Sequence, residues 1–369
     1  MHKLITTGTV LEHELSEIRL LIERQTGIVL DCPNSAMAAH IADFIEAQDL
    51  GSSSTLLERL RSCEQDPASL PALLDGLINT NTGFFRHPGA LNALTRQVLP
   101  QLFARKSADG PNPLRIWSAG CATGEETYSI AMAVCDAVSN SASNNSMNSS
   151  AGNANGNGKI TARSGGIVDS APSKNAAPNL AGLTIHIVGS DLLPQNIEAA
   201  DRGIYPQSAL DGLPPASIRN HFSKISSPAI LPVDADCDDQ SEGRDDSRYD
   251  GRYDAKQKAG SQSAPPSGAH LLVKPRLRSM VTFNCMNLAR PGYIGRFDCI
   301  FCMDVLPQLS RAQRIALLER LHLYLEPGGY LFLSQTERLC TPNLNFRSET
   351  FDGYTFHRKP LAASAAYGR

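Results

Sequence analysis

The stretch Leu114-Arg-Ile-Trp-Ser-Ala-Gly-Cys-Ala-Thr-Gly-Glu-Glu-Thr-Tyr-Ser-Ile-Ala-Met132 decides the fold. Leu114, Ile116 and Trp117 form a short apolar run after a Pro-rich break, Gly120 and Gly124 frame a tight turn, and helical periodicity begins near Glu125. The pattern predicts strand, glycine turn, helix. Without a Cβ, glycine lets the backbone pass close to a ligand, while the N–H groups that open the following helix can face it. A nucleotide-like ligand is implied. The alternative is an ordinary strand-to-helix connection in another α/β protein, and the glycines alone do not separate the two.

The full string narrows the choice. Trp117 to Met132 closely resembles the S-adenosylmethionine motif of the CheR family, methyltransferases that esterify glutamates on chemoreceptors. Where the family usually has Pro before the Tyr, this chain has Thr127. The resemblance implies an α/β fold: a Rossmann-like S-adenosylmethionine-dependent methyltransferase domain with a small N-terminal all-α domain. It implies S-adenosylmethionine as cofactor and S-adenosylhomocysteine as product. By the same resemblance Gly120 borders the cofactor and Glu126 holds its amino group.

Composition sets outer bounds. The chain has 369 residues, of which 41% are hydrophobic and 19% charged, which suits a globular protein with room for two domains and some linker. A net charge of -3 supplies no general pull toward nucleic acid or anionic membrane. No apolar run long enough for a membrane span occurs, and Met1 to Gly8 lacks a signal-peptide core, so a cytoplasmic monomer is expected. Nine cysteines lie scattered without framework spacing, which suggests reduced thiols. Cys299 and Cys302 are the one suggestive pair, but residues three apart on a strand point to opposite faces, and no second pair with ligand spacing accompanies them. No metal site is expected.

From Leu11 to Ile78 the pattern is helical. Leu11, Leu15, Ile18, Leu21 and Ile22 share one face, Gly27 ends that helix, and further helices are expected at Ser35 to Gln48, Ser53 to Cys63 and Ser69 to Leu77, with Ser52 to Ser54 as a cap. This region resembles the N-terminal helical domain that docks on receptor helices in the family. Here it is acidic, and Ser35 to Gln48 contains no Lys or Arg, so the partner surface is expected to differ from the usual acidic receptor region; a merely solvated acidic face is the simpler explanation.

Ile78 to Pro88 follows. Read alone, it is a polar turn, an aromatic pair and a surface Arg; it resembles the family signature of a Thr, a spacer, two Phe and an Arg. That match assigns Thr82 and Arg86 to the methionine end of the cofactor, where a guanidinium can grip a carboxylate through paired hydrogen bonds. Thr80 stands where the family often has Asn, between Asn79 and Asn81. A helix from Leu91 to Phe103 then leads to the glycine stretch, and the helix after it is expected to fade near Val138.

Residues 139–181 are almost wholly Ser, Asn, Ala and Gly, and 226–268 are rich in Asp, Ser, Gly and Arg; both read as disordered linkers. Asp234, Asp236 and Asp238 have calcium-loop spacing, but Asp239 replaces the turn glycine. The second linker occupies or interrupts the place of the β-subdomain found in many relatives. The predicted division is therefore a helical domain over 1–78 and a methyltransferase domain over 79–138, 182–225 and 269–369.

Leu183 to Asp191 reads as a strand ending in a carboxylate suited to ribose hydroxyls, with a helix N-cap before Pro194 as the competing role. His270 to Val273 and Val281 to Cys285 are strand-like, and Asn287-Leu288 matches a family pair that borders the adenine. Phe297 to Cys302 is the fourth strand of the sheet. At its tip the family's Arg, Asn and active-site Tyr are replaced by Met303, Asp304 and Gln308, which take over the cofactor-binding and catalytic places. Ser310 is read as capping a helix to Leu325.

Methyl transfer from a sulfonium mainly requires donor and acceptor to be held in line. A glutamate acceptor, with a pKa of about 4.3, is already ionised at neutral pH and needs no general base. Accordingly no histidine is assigned a motif partner, and His186 is read as a core residue. The sequence points to protein-glutamate O-methyl transfer on the cytoplasmic helices of a methyl-accepting chemoreceptor, with Arg86 and Gln308 at the reacting centre. A non-catalytic cofactor-binding scaffold, or a methyltransferase with another acceptor, are the alternatives.

Overall fold

The computed structural model describes residues 10–62, 69–75, 77–78, 80–109, 113–150, 184–225, 270–292, 295–339 and 344–361. Asn79, most of 139–181 and the whole of 226–268, with its Asp234 to Asp238 spacing, lie outside them.

Four helices begin the chain: α1 (Glu12–Thr26), α2 (Asn34–Ala47), α3 (Ser53–Arg61) and α4 (Ser69–Leu74). Gly27 ends α1 at a φ of 76°, and the Ser52 hydroxyl accepts from Thr55 N at 3.2 Å to cap α3. Helix α4 stops three residues before the predicted end. Ile18, Ile22, Met37, Ile41 and Leu56 form the core of this helical region.

A longer helical run follows, made of α5 (Pro88–Ala93), a π-turn (Leu94–Val98) and α6 (Leu99–Asp109). It begins before the predicted Leu91 because Pro88 occupies the first turn, where its missing N–H costs nothing. Strand β1 (Leu114–Ala119) leads into α7 (Glu125–Ser150), which continues past the predicted end at Val138. Neither Gly nor Pro occurs between Gly124 and Gly152, so nothing in the chain breaks the helix there.

The remaining elements are β2 (Ile185–Asp191), α8 (Pro194–Arg202), β3 (Ile204–Pro206), α9 (Pro215–His221), β4 (Phe222–Ile225), β5 (His270–Val273), α10 (Pro275–Arg278), β6 (Val281–Cys285), β7 (Phe297–Cys302), α11 (Arg311–Tyr324), β8 (Leu325–Leu333), β9 (Arg347–Phe351) and β10 (Tyr354–Arg358). Seven strands form a sheet in the order β6-β2-β1-β7-β8-β10-β9; the pairs from β6 through β8 are parallel, and β10 joins β8 antiparallel. The fold is mixed α/β with a mostly parallel central sheet, as predicted. Its inner strands are buried on both faces: every residue of β7 is buried, and Trp117 stacks on Phe297 at 5.5 Å. Cys299 and Cys302 sit within that strand, and burial pushes both thiols up. Helix α11 starts after Ser310, but the Ser310 hydroxyl makes no capping bond; its backbone N–H donates instead to Gly27 O at 3.2 Å.

The described residues of 204–273 form a compact unit of their own. In it β5 pairs antiparallel with both β3 and β4. The chain on either side of 226–269 therefore closes one small sheet, so the insertion interrupts a β-subdomain rather than replacing it.

Candidate active site

In a doubly wound sheet the ligand crevice lies at the carboxyl ends of the strands, where the strand order reverses. Here that point is between β1 and β7, and a cavity of 380 Å³ opens there, within the usual size for a small-molecule site. Gly120 after β1, Asp191 at the end of β2, Met286 after β6 and Met303 after β7 form its floor. All the predicted site residues line it: Thr80, Thr82, Arg86, Gly120, Glu126 and Asp191, and likewise Asn287, Leu288, Met303, Asp304 and Gln308.

Backbone strain collects around this cavity. Phe85, Ala122 and Asp304 all line it and have left-handed φ values of 54°, 45° and 57°. Each is held by a neighbour. Ser129 Oγ accepts from Phe85 N at 2.9 Å, and Asp191 Oδ2 accepts from Ala122 N at 3.0 Å. Buried Glu337 accepts from Leu306 N at 3.0 Å and Ser334 N at 2.8 Å, and its carboxylate also takes the backbone N–H of Asp304. Glu337 closes the stretch from Glu326 that resembles the family's turn and next strand; it fastens the tip of β7 to the end of β8.

Asp191 takes the second of the roles that the sequence left open, at the start of α8, and adds a tie to the glycine turn. Its Oδ1 accepts from Leu193 N at 3.0 Å and Asn196 Nδ2 at 2.9 Å at the start of α8, while its Oδ2 holds the glycine turn. A carboxylate has about four acceptor positions, so roughly one is left for a ligand hydroxyl. Asp191→Ala is expected to lower cofactor affinity tenfold or more and to lower stability by about 1–3 kcal/mol, because the backbone donors of Ala122 and Leu193 lose their acceptor. Calorimetry together with thermal unfolding checks both parts.

Glu126 accepts from the Ser118 hydroxyl at 2.6 Å. Burial, reinforced by Asp304 and Glu337 and opposed by Ser118 and Arg86, raises its carboxyl to about 7. Holding a ligand ammonium requires the ionised form, so affinity is expected to be constant above pH 7 and to fall toward tenfold per pH unit below it. Glu126→Gln should flatten that slope at a lower affinity. Since the raised folded-state value favours protonation, its stabilising contribution is full below the ordinary 4.5 and lost as pH rises through about 7. Glu126→Gln should therefore raise the melting temperature at pH 8 and hardly change it at pH 4.

On the opposite wall, Arg86 Nη2 lies 3.2 Å from Asp304 Oδ2, and Arg86 Nη1 donates to Asn81 O. His87 Nε2 lies 3.2 Å from the same oxygen. A histidine with a carboxylate partner thus stands in the cavity, which corrects the expectation that none would. Burial holds its ring below the usual histidine range, opposed by Asp304. Gln308, predicted to replace the hydrogen bond of the Tyr, donates its Nε2 to Asp304 O at 3.1 Å and so closes its own turn. Asn287, expected beside the adenine, donates its Nδ2 to Gln25 O at 2.9 Å and accepts from Ala289 N. Thr26 and Ile28 of the helical region also line the cavity, which no sequence signal indicated.

The donor set fits S-adenosylmethionine: Glu126 for an ammonium, Asp191 for a hydroxyl, Arg86 for a carboxylate, and Met286, Leu288 and Ile28 as apolar wall. Comparison with known proteins agrees. Residues 80–151 and 252–354 match the family model described as CheR methyltransferase, SAM binding domain. Chemotaxis protein methyltransferase 1 of Pseudomonas aeruginosa is 26% identical over 345 residues, spanning 90% of this chain and 96% of that one. Chemotaxis protein methyltransferase of Vibrio parahaemolyticus is 24% identical, spanning 91% and 92%. Among solved structures, magnesium protoporphyrin IX methyltransferase from Synechocystis with bound SAM is similar over 76% of this chain and 85% of that one, at 12% identity and a TM-score of 0.27. With its motif, its sheet and its cavity on one pattern, the chain carries the S-adenosylmethionine-binding domain of the CheR methyltransferases.

Proposed function

We propose that this enzyme methylates glutamate carboxylates on the cytoplasmic helices of a methyl-accepting chemoreceptor. The observation that carries the reading is Arg86, the only permanently cationic side chain among the described residues lining the cavity. S-adenosylmethionine, when bound, supplies a methyl group on a sulfonium for in-line displacement. Glu126 and Asp191 hold the ligand, the wall built on Ile28 and Leu288 excludes water, and Arg86 orients an acceptor carboxylate that is already ionised at neutral pH. The acceptor places the reaction in the cytoplasm. Helix α2 exposes Asp43 and Glu46 and carries no Lys or Arg, which favours a receptor face without excess acid. Among the described residues no helix is long and apolar enough to cross a membrane.

One observation supports a second reading, a scaffold that binds the cofactor without turnover: Gln308 is engaged by the Asp304 carbonyl and Arg86 by the Asp304 carboxylate. Incubation with labelled cofactor and membranes from its own source decides between them, base-labile methyl esters being the expected product. Tight cofactor binding without ester, in the wild type and in Gln308→Tyr alike, replaces the enzyme with the scaffold.

A further inference from the structure

Arg86 and His87 are adjacent in the chain, yet both reach one oxygen: Asp304 Oδ2 lies 3.2 Å from each. Asp304 sits at a φ of 57°, and the turn it begins is tied to buried Glu337. The backbone that carries its carboxylate is therefore held in place, and what can change is the cation that satisfies it. At rest the guanidinium supplies that charge, and a neutral His87 donates Nε2–H. Arg86 Nη1 is engaged by Asn81 O and Nη2 by Asp304, so a ligand carboxylate that takes both in paired geometry displaces Asp304. Asp304 would then stand without a cation, and the group already beside it that can become cationic is His87, 3.2 Å away.

We propose that His87 is a positioning residue: it takes up a proton when a ligand carboxylate binds Arg86, and so holds Asp304 while the guanidinium turns to the ligand. Two ligands bring such a carboxylate, the methionine end of the cofactor and the acceptor side chain, and only the second rests on the proposed function. The groups facing His87 set the sign. Arg86 on its own loop opposes protonation and Asp304 favours it. Glu126 on α7 and Glu337 beyond β8 are both raised by burial, so Glu126 adds negative charge near Asp304 mainly above about pH 7. Tyr354 of β10, packed on the first turn of α5, has its phenol pushed upward by burial and stays neutral. Burial keeps the resting ring uncharged at neutral pH, and a second carboxylate nearby moves it toward the cation.

The experiment follows the His87 ring by nuclear magnetic resonance, its signal assigned with His87→Gln, through a pH titration. Three samples are compared: protein alone, protein with S-adenosylhomocysteine, and that complex with sodium glutarate as carboxylate probe. The expected result is a rise of about one pKa unit or more. A rise with S-adenosylhomocysteine alone assigns the carboxylate to the cofactor, and a rise only with glutarate assigns it to the acceptor. Affinities measured in parallel should move in opposite directions: Asp304→Asn frees Arg86 and strengthens carboxylate binding at pH 8, whereas His87→Gln weakens it at pH 6. Loss of local structure would move both the same way. An unmoved ring in both ligand samples, or affinity changes of the same sign, overturns the proposal. Methyl-ester formation is assayed separately. Ester with an unmoved ring removes this inference and keeps the substrate reading; a shifted ring without ester does the reverse.

Discussion

Arg86→Ala is expected to lower methyl-transfer turnover by about 10² or more, the usual cost of removing a group aimed at the reacting charges. The structure adds two consequences. Asp304 loses its cation, and Glu126, which Arg86 helps to keep ionised, holds its proton to a still higher pH. The variant should thus bind cofactor more weakly at pH 7 than at pH 8.5, with a steeper dependence than the wild type. Arg86→Lys restores charge without the paired geometry and should recover only part of the rate. Steady-state kinetics at several pH values check this, and a kcat within threefold of wild type in the alanine variant would remove Arg86 from the reacting centre.

Gly120→Ala should be nearly as damaging although it adds one methyl group. Gly120 has a φ of 82°, and a Cβ there would lie 2.4 Å from Val305 Cγ2. The left-handed backbone costs an alanine about 1–2 kcal/mol, and forcing apart a packed contact costs about 1–3 more. Val305 cannot retreat cheaply, because Glu337 fastens its turn through Leu306 N. Cofactor affinity is expected to fall about 10²-fold, with a lowered melting temperature. The pair Gly120→Ala with Val305→Ala separates the causes, since it removes the collision and keeps the torsional cost. Partial recovery is expected, and full recovery would show that the backbone angle contributes nothing.

What the sequence made legible was local. The run from Leu114 to Met132 holds strand, turn and helix within a few residues, and the carboxylates at Glu126 and Asp191 announce themselves by following an apolar strand or a glycine turn. The pairing of His87 with Asp304 was hidden because the two lie far apart in the chain and meet only where loops converge at the carboxyl end of the sheet. The bond from Gln308 to the carbonyl of its own turn was hidden for a related reason: a side-chain amide near such a carbonyl engages it, and no pattern of residue types reveals that. The end of α7 was placed too early because the Ser, Asn, Ala and Gly composition from 139 on was read as a disordered linker, whereas the absence of Gly and Pro before Gly152 lets the helix run on to Ser150. The division at 204–273 turns on strand pairing across a long insertion, which periodicity does not report.

The loop after α1 is stitched onto the tip of β7. Ile28 bridges Leu309, Val29 N donates to Gln308 O at 2.8 Å, and Asn287 reaches Gln25 O. Because Ile28 also lines the cavity, the helical region and the ligand share a wall. Thermodynamic reciprocity then applies: any partner that grips these helices and shifts the loop alters cofactor affinity by some factor, and the cofactor alters that grip by the same factor. The cofactor-loaded and empty forms of the enzyme would hold such a partner with different strength.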